Sequence, residues 1–179
     1  MMAATGLVLW ITGLSGAGKT TVAGLVRDAL VRRGARPVLL DGDVLRHIFA
    51  PLAQHGHGRS DRLRLAKSYA SLCHELAGQG QIVICATMSM FHEVRAWNRQ
   101  HIANYVEIYL QVPLAELERR DVKDIYARAR AGQLRDVIGV DIPAEEPEAP
   151  DLVIENHGAT APGRAARDIL DLLDAKGLS

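Results

Sequence analysis

What the chain lacks narrows its class first. Its 21 basic residues are matched by 21 acidic ones, so no cationic excess points to nucleic acid and no polybasic tail to a membrane surface. No apolar run approaches the roughly 20 residues that a membrane-spanning helix needs. No positively charged n-region opens the sequence, and a glycine-rich loop follows so soon that a cleaved leader would remove it. A secretory signal is therefore not expected, and the cytoplasm is the expected compartment. Cysteine is scarce: Cys73 and Cys85 both sit in apolar surroundings and read as small buried hydrophobes rather than as a disulfide or metal pair. Repeats and low-complexity tracts are absent. A guanine-reading N-K-x-D motif is missing, which argues against a GTPase, and 179 residues are too few for a large motor ATPase. That length, 48% hydrophobic, suits one domain with a good core.

What is present alternates short β-rich runs with helix-period segments, the pattern of an α/β fold with a parallel sheet flanked by helices on both faces. The expected strands are "LVLWIT" (7–12), "PVLLD" (37–41), "IVICA" (82–86), "YVEIYL" (105–110) and "DLVIE" (151–155). Between them, 20–33 carries Val22, Leu25, Val26, Ala29 and Leu30 on one helical face, and 61–77 carries Leu65, Tyr69, Leu72 and Leu76. Further helices are expected at 91–103, after Pro113, and at about 164–175. The least regular stretch, 121–150, begins basic and ends "VIGVDIPAEEPEAP"; its length and lack of period predict a mobile lid.

The run "GLSGAGKT" (13–20) follows the first strand and opens the first helix. Gly13, Gly18, Lys19 and Thr20 satisfy G-x-x-x-x-G-K-[ST] in the context that gives the motif its meaning. Backbone N–H groups of Ser15, Gly16, Ala17 and Gly18 can curl around an anion, and the helix N-terminus carrying Thr21 adds partial positive charge. Lys19 is expected on the β- and γ-phosphates of ATP, and Thr20 on Mg²⁺. The second strand ends "LLDGDVLRHIF" (39–49). Asp41 and Asp43 lie two residues apart, so an extended backbone would point both carboxylates the same way, at the sheet edge where open α/β folds bind substrates.

Together these blocks resemble the adenylylsulfate kinase family. The resemblance rests on "GLSGAGKT", "LDGDVLRH", "SDR" (60–62), "VPLAELERRDVKDIYARARAG" (112–132) and "GVD" (139–141), and it runs to "PDLVIEN". It implies a P-loop kinase with five parallel strands and a mobile lid, a homodimer, and transfer of the γ-phosphate of MgATP to the ribose 3′-hydroxyl of adenylylsulfate. By the same likeness Asp43 stands beside that hydroxyl and shares Mg²⁺ with Thr20. Arg46 and Arg62 resemble the arginines on the acceptor's phosphate end, where planar forks suit an anhydride. Lys123 resembles the lid lysine, Arg120 the residue that lies against ATP, and Ser89 the serine of the F-I-S-P block.

Departures cluster on the acceptor side. The family clamps the acceptor's adenine between two phenylalanines; His57 and Val137 stand in those places here, and Leu65 replaces an asparagine. A stacked base contributes roughly 1–3 kcal/mol, so a missing wall alters base selection. Phe91 and Trp97 are the candidate replacements within "MFHEVRAWNR". His55 and His57 have no third ligand nearby to make a metal site. Two acceptors therefore stay open: adenylylsulfate, or another nucleotide-linked compound such as cytidine diphosphoramidate. A nucleotide-binding module without catalysis is the reading from a different class, and intact Lys19, Thr20 and Asp43 speak against it.

Overall fold

The computed structural model describes residues 6–49, 58–121, 123–158 and 160–178. Five apolar runs form the parallel strands β1 (Leu7–Thr12), β2 (Val38–Asp41), β3 (Ile82–Ala86), β4 (Tyr105–Gln111) and β5 (Leu152–Glu155), ordered β2-β3-β1-β4-β5. The connecting helices are α1 (Lys19–Arg32), α2 (Gly42–Ile48), α3 (Arg59–Gly78), α4 (His92–His101), α5 (Leu114–Arg120) and α6 (Ile125–Arg130), with α7 (Pro162–Ala175) following β5. Every residue of β1 is buried, as a central strand covered on both faces requires. Alternation divides it: Leu7, Leu9 and Ile11 join the core under α1 and α7, whereas Val8 and Trp10 join the core under α3 and α4. In register, Leu9 lies between Ile84 of β3 and Val106 of β4.

The topology opens the crevice. After β1 the chain crosses through α1 to the edge strand β2, while β3 and β4 return on either side of β1. Connections therefore diverge at the C-terminal end of β1, where open α/β sheets bind ligands. All five strands lie where the sequence places them, with ends shifted by a residue at most. Other local features differ, among them the short helix α2, which the sequence reading does not expect. Leu25 is 38% exposed, because α1 buries Val22, Ala23, Val26 and Leu30 and leaves Leu25 on the margin of that stripe. The irregular stretch 121–150 contains α6. Cys73 and Cys85 are free and buried, and no described helix is long and apolar enough to cross a membrane.

One charged group sits inside the sheet layer. Glu107 of β4 is 2% exposed, and its carboxylate pairs with Arg95 (3.3 Å) and Arg99 (2.9 Å), both from α4. Arg95 also donates to the carbonyls of Glu145 (2.7 Å) and Glu146 (3.1 Å), so the pair ties the 145–151 segment to the sheet. Burial raises the Glu107 pKa and lowers that of Arg95, the expected cost of desolvating both charges. Removing one partner strands the other. Glu107→Ala is expected to lower unfolding free energy by about 3–5 kcal/mol, read from denaturant midpoints. Replacing both residues by leucine should cost far less; equal losses in the two variants would show that packing, not the orphaned charge, sets the penalty.

Candidate active site

The site is assembled from the ends of β1, β2 and β3. Residues 13–18 wrap between β1 and α1, and Gly18 (φ 90°) is the turn into the helix. A Cβ there would sit 2.7 Å from Nδ2 of Asn156, the residue after β5. Asn156 itself donates to the carbonyl of Ala17 at 2.7 Å, pinning the loop from behind. Lys19 Nζ folds across the loop and donates to the carbonyls of Gly13 and Leu14, both at 2.8 Å. Its pKa falls to about 8: desolvation by the surrounding loop is the largest cause, the Lys123 charge the next, and Asp43 and Asp41 oppose them.

Asp43 departs from the extended geometry expected from sequence, while Asp41 keeps it. Asp41 ends the strand (φ −84°, ψ 135°) and caps α2, accepting the N–H of Asp43 on Oδ1 at 2.9 Å. Asp43 lies in the first turn of that helix, so the two side chains have different surroundings. Aspartate is among the best N-caps, and that local preference overrides the continuation of the strand. The other oxygen of Asp41 accepts the Thr20 hydroxyl at 2.7 Å. Asp43 pairs with Lys123 from the 121–124 connection, and that hydrogen bond is the main cause holding its carboxyl below the usual range.

These groups face a cavity of about 890 Å³. Ser15, Gly16, Gly18, Lys19, Thr20 and Thr21 form its donor end; Asp41, Asp43, Arg46, Arg62, Ser89, Lys123 and Val137 form the rest. Arg62 donates to the carbonyl of Asp136 at 2.9 Å. Its pKa is lowered by burial first and then by the charge of Arg46. Two guanidinium groups gathered closely enough to repel one another make a seat for an anion, which relieves that repulsion. Ser89 shares a 2.8 Å hydroxyl contact with Thr87 on the β3 side.

Other sequence-derived candidates lie elsewhere. Gly13 and Ala17 shape the loop without lining the cavity. Arg120 sits behind the loop, donating to the carbonyls of Asn156 (2.9 Å) and Gly16 (3.4 Å) and to Glu116 (2.8 Å). Phe91 is 3% exposed and lines the cavity, with the Arg59 guanidinium 5.5 Å from its ring. Trp97 stacks on His101 at 4.4 Å and does not line it. His55 and His57 lie outside the described residues. Sequence reasoning gave no site role to Tyr69, His47 or Arg135, which also line the cavity. Tyr69 had been visible only as part of a helical apolar stripe.

A divalent cation could be held here by a hydroxyl and a carboxylate, Thr20 and Asp43, both of which line the cavity. Among the described residues no group of three or more His, Cys, Asp or Glu side chains is arranged around a metal position. Such sparse oxygen donors fit Mg²⁺, which keeps its waters and is bound through one or two carboxylates and the substrate's phosphates. The proton of Thr20 is committed to Asp41, leaving oxygen lone pairs for a hard cation.

Comparison with known proteins agrees with this geometry. The family model for adenylylsulphate kinase matches residues 5–155. A cytidine diphosphoramidate kinase of Campylobacter jejuni is 40% identical over 149 residues, covering 83% of this chain and 85% of the relative. An adenylyl-sulfate kinase of Picosynechococcus is 39% identical over 147 residues, 82% of each chain. Among solved structures, the Mycobacterium tuberculosis APS kinase CysC in complex with AMPPNP and APS superposes with a TM-score of 0.86 at 35% identity, over 95% of this chain and 98% of that one. With its fold, its phosphate loop and most of its length accounted for, the chain belongs to the adenylylsulphate kinase family.

Proposed function

We propose that the protein is an ATP-dependent kinase that transfers the γ-phosphoryl group to the ribose 3′-hydroxyl of adenylylsulfate. The observation that carries this reading is one cavity lined together by Lys19, the loop residues, Asp43, Arg46 and Arg62, with Asp43 close enough to feel the charges of both Lys19 and Arg46. The loop and Lys19 hold the triphosphate, and Arg46 and Arg62 hold the anionic end of the acceptor. Asp43, kept ionised by Lys123, accepts a hydrogen bond from the hydroxyl and aims it at the γ-phosphorus. A depressed pKa makes it a weak base, which suits a loose transition state in which positioning and charge matter more than early proton removal. Thr20 and Asp43 are the residues that would hold Mg²⁺, which would supply positive charge to offset that of the triphosphate. Segment 121–150 acts as a lid, bringing Lys123 to Asp43 and Val137 to the cavity wall.

A second acceptor reading has its own support. The 40%-identical relative is a cytidine diphosphoramidate kinase, and the cavity wall here carries the aliphatic Leu65, Val137 and Ile138. These three side chains offer a base packing surface without a ring, whereas Tyr69 and Phe91 supply rings elsewhere on the wall. A coupled assay over adenylylsulfate and cytidine diphosphate-type acceptors is expected to give its highest kcat/KM with adenylylsulfate. A higher value for a cytidine compound selects the second reading. ATP binding without transfer to any acceptor overturns both.

Two further outcomes follow from the donor end. Lys19→Ala and Asp43→Ala should each lower kcat by at least about a hundredfold with the melting temperature little changed; an Asp43→Ala enzyme near normal turnover would remove its assigned role. The second concerns pH. Lys19 has a pKa of about 8 before nucleotide binds, and a neighbouring phosphate raises it, so binding takes up a proton above that pH. ATP affinity, measured by calorimetry, should be level below about pH 8 and fall by up to about tenfold per unit above it. A flat profile would show that the ammonium does not titrate in this range.

A further inference from the structure

The Gly139-Val140-Asp141 block takes no part in the chemistry above, yet its hydrogen bonding is dense. The Asp141 carboxylate accepts the backbone N–H of Asp136 on Oδ2 (2.6 Å) and that of Val137 on Oδ1 (2.5 Å). The Val137 carbonyl in turn accepts from the N–H groups of Val140, Asp141 and Ile142 at 3.0, 3.1 and 3.1 Å. The Gly139 N–H closes the turn on the Ile142 carbonyl at 2.7 Å. Asp136 has φ 61°, a left-handed conformation that aspartate tolerates better than most non-glycine residues and that a hydrogen-bonded hold stabilises. The bond from Asp141 to its N–H is such a hold.

One face of this knot meets the cavity and the other packs against the phosphate loop. On one face, the Asp136 carbonyl accepts Arg62 Nη2 at 2.9 Å, and Val137, 6% exposed, forms cavity wall. On the other face, Gly139 (φ 91°) lies against the phosphate loop: a Cβ there would come within 3.2 Å of both methyl carbons of Leu14. The Leu14 carbonyl accepts the Lys19 ammonium. A short capped turn therefore touches an acceptor-side arginine and the donor-side loop at once.

We propose that Asp141 is a positioning residue for the acceptor. By capping residues 136 and 137 it fixes the carbonyl that aims Arg62 and the wall formed by Val137, and so sets where the acceptor's anionic end rests relative to the phosphate loop. The proposal rests on the kinase reading for what that end is, but not for the hydrogen bonds that hold Arg62. Arg62 touches the acceptor; Asp141 acts through it.

Asp141→Ala and Asp141→Asn test this with steady-state kinetics on adenylylsulfate and MgATP, amide hydrogen exchange, and the ¹⁵N resonance of the Arg62 guanidinium. The alanine variant should raise the acceptor KM by about tenfold to a hundredfold, the scale of a small misplacement, with the ATP KM within about twofold. Amides 136–142 should exchange faster and the Arg62 resonance should shift. Asparagine, which keeps one acceptor oxygen, should fall between. In a variant already lacking the Arg62 side chain, Asp141→Ala should add little, because both changes remove one function. A parallel rise in both KM values, unchanged exchange at 136–142, or full additivity with Arg62→Ala would overturn the proposal in favour of plain loop stability. If the unaltered protein phosphorylates no acceptor, the kinase reading fails. The exchange and Arg62 resonance still decide whether Asp141 holds the turn, and an unmoved Arg62 signal overturns the proposal in that case too.

Discussion

Both halves of the cavity are fastened to one carboxylate. Asp41 accepts the Thr20 hydroxyl on one oxygen and the Asp43 N–H on the other, so the first turn of α1 and the first turn of α2 share an anchor at the end of β2. Without it, the threonine that follows the loop lysine and the aspartate assigned to the acceptor hydroxyl would be positioned independently, by helices on different parts of the sheet. In-line transfer tolerates little error in such distances. A single rigid strand end, itself paired to β3 through Asp41 opposite Ala86, removes that freedom.

Electrostatics then decides what the cavity accepts. Among the described residues, Lys19, Arg46, Arg62, Lys123 and Arg135 line it against only Asp41 and Asp43. The lowered pKa values of Lys19 and Arg62 record this crowding as well as their burial. Since the whole chain carries no net charge, the local excess comes from placement, not composition. It favours a ligand pair bearing several negative charges, and the enclosed geometry makes each interaction stronger than it would be in bulk water.

The parts legible in the sequence are those whose causes are local. The loop motif, the five strands and the face of α3 follow from spacing within a window of a few residues. Helix α2 was hidden because its seven residues, Gly42–Ile48, are too few to show a period, and with the capping Asp41 the chain enters it as Asp-Gly-Asp, which reads equally as a strand ending. Tyr69 looked like ordinary core because one helical stripe serves both the sheet and the cavity. Arg46 and Arg62 came from family likeness, since nothing in their spacing tells two arginines on separate helices that they will meet. Asn156 left no signal at all: its partner Ala17 is 139 positions away, and only the completed sheet brings them together.

The back of the phosphate loop has its own attachments. Tyr126 donates its hydroxyl proton to the Ser15 carbonyl at 2.8 Å, and Arg120 reaches the Gly16 carbonyl. In a trans peptide the carbonyl and the following amide point in opposite directions, so the Tyr126 donor pulls electron density away from the Gly16 N–H on the far side, while the Ala17 N–H behind the Gly16 carbonyl is bonded within the loop to the Leu14 carbonyl at 3.2 Å. Hydrogen bonds along such a chain reinforce one another. Helix α6 thereby polarises the Gly16 amide, which lines the cavity, and an anion held on the front of that peptide plane would tighten the hold of Tyr126 behind it.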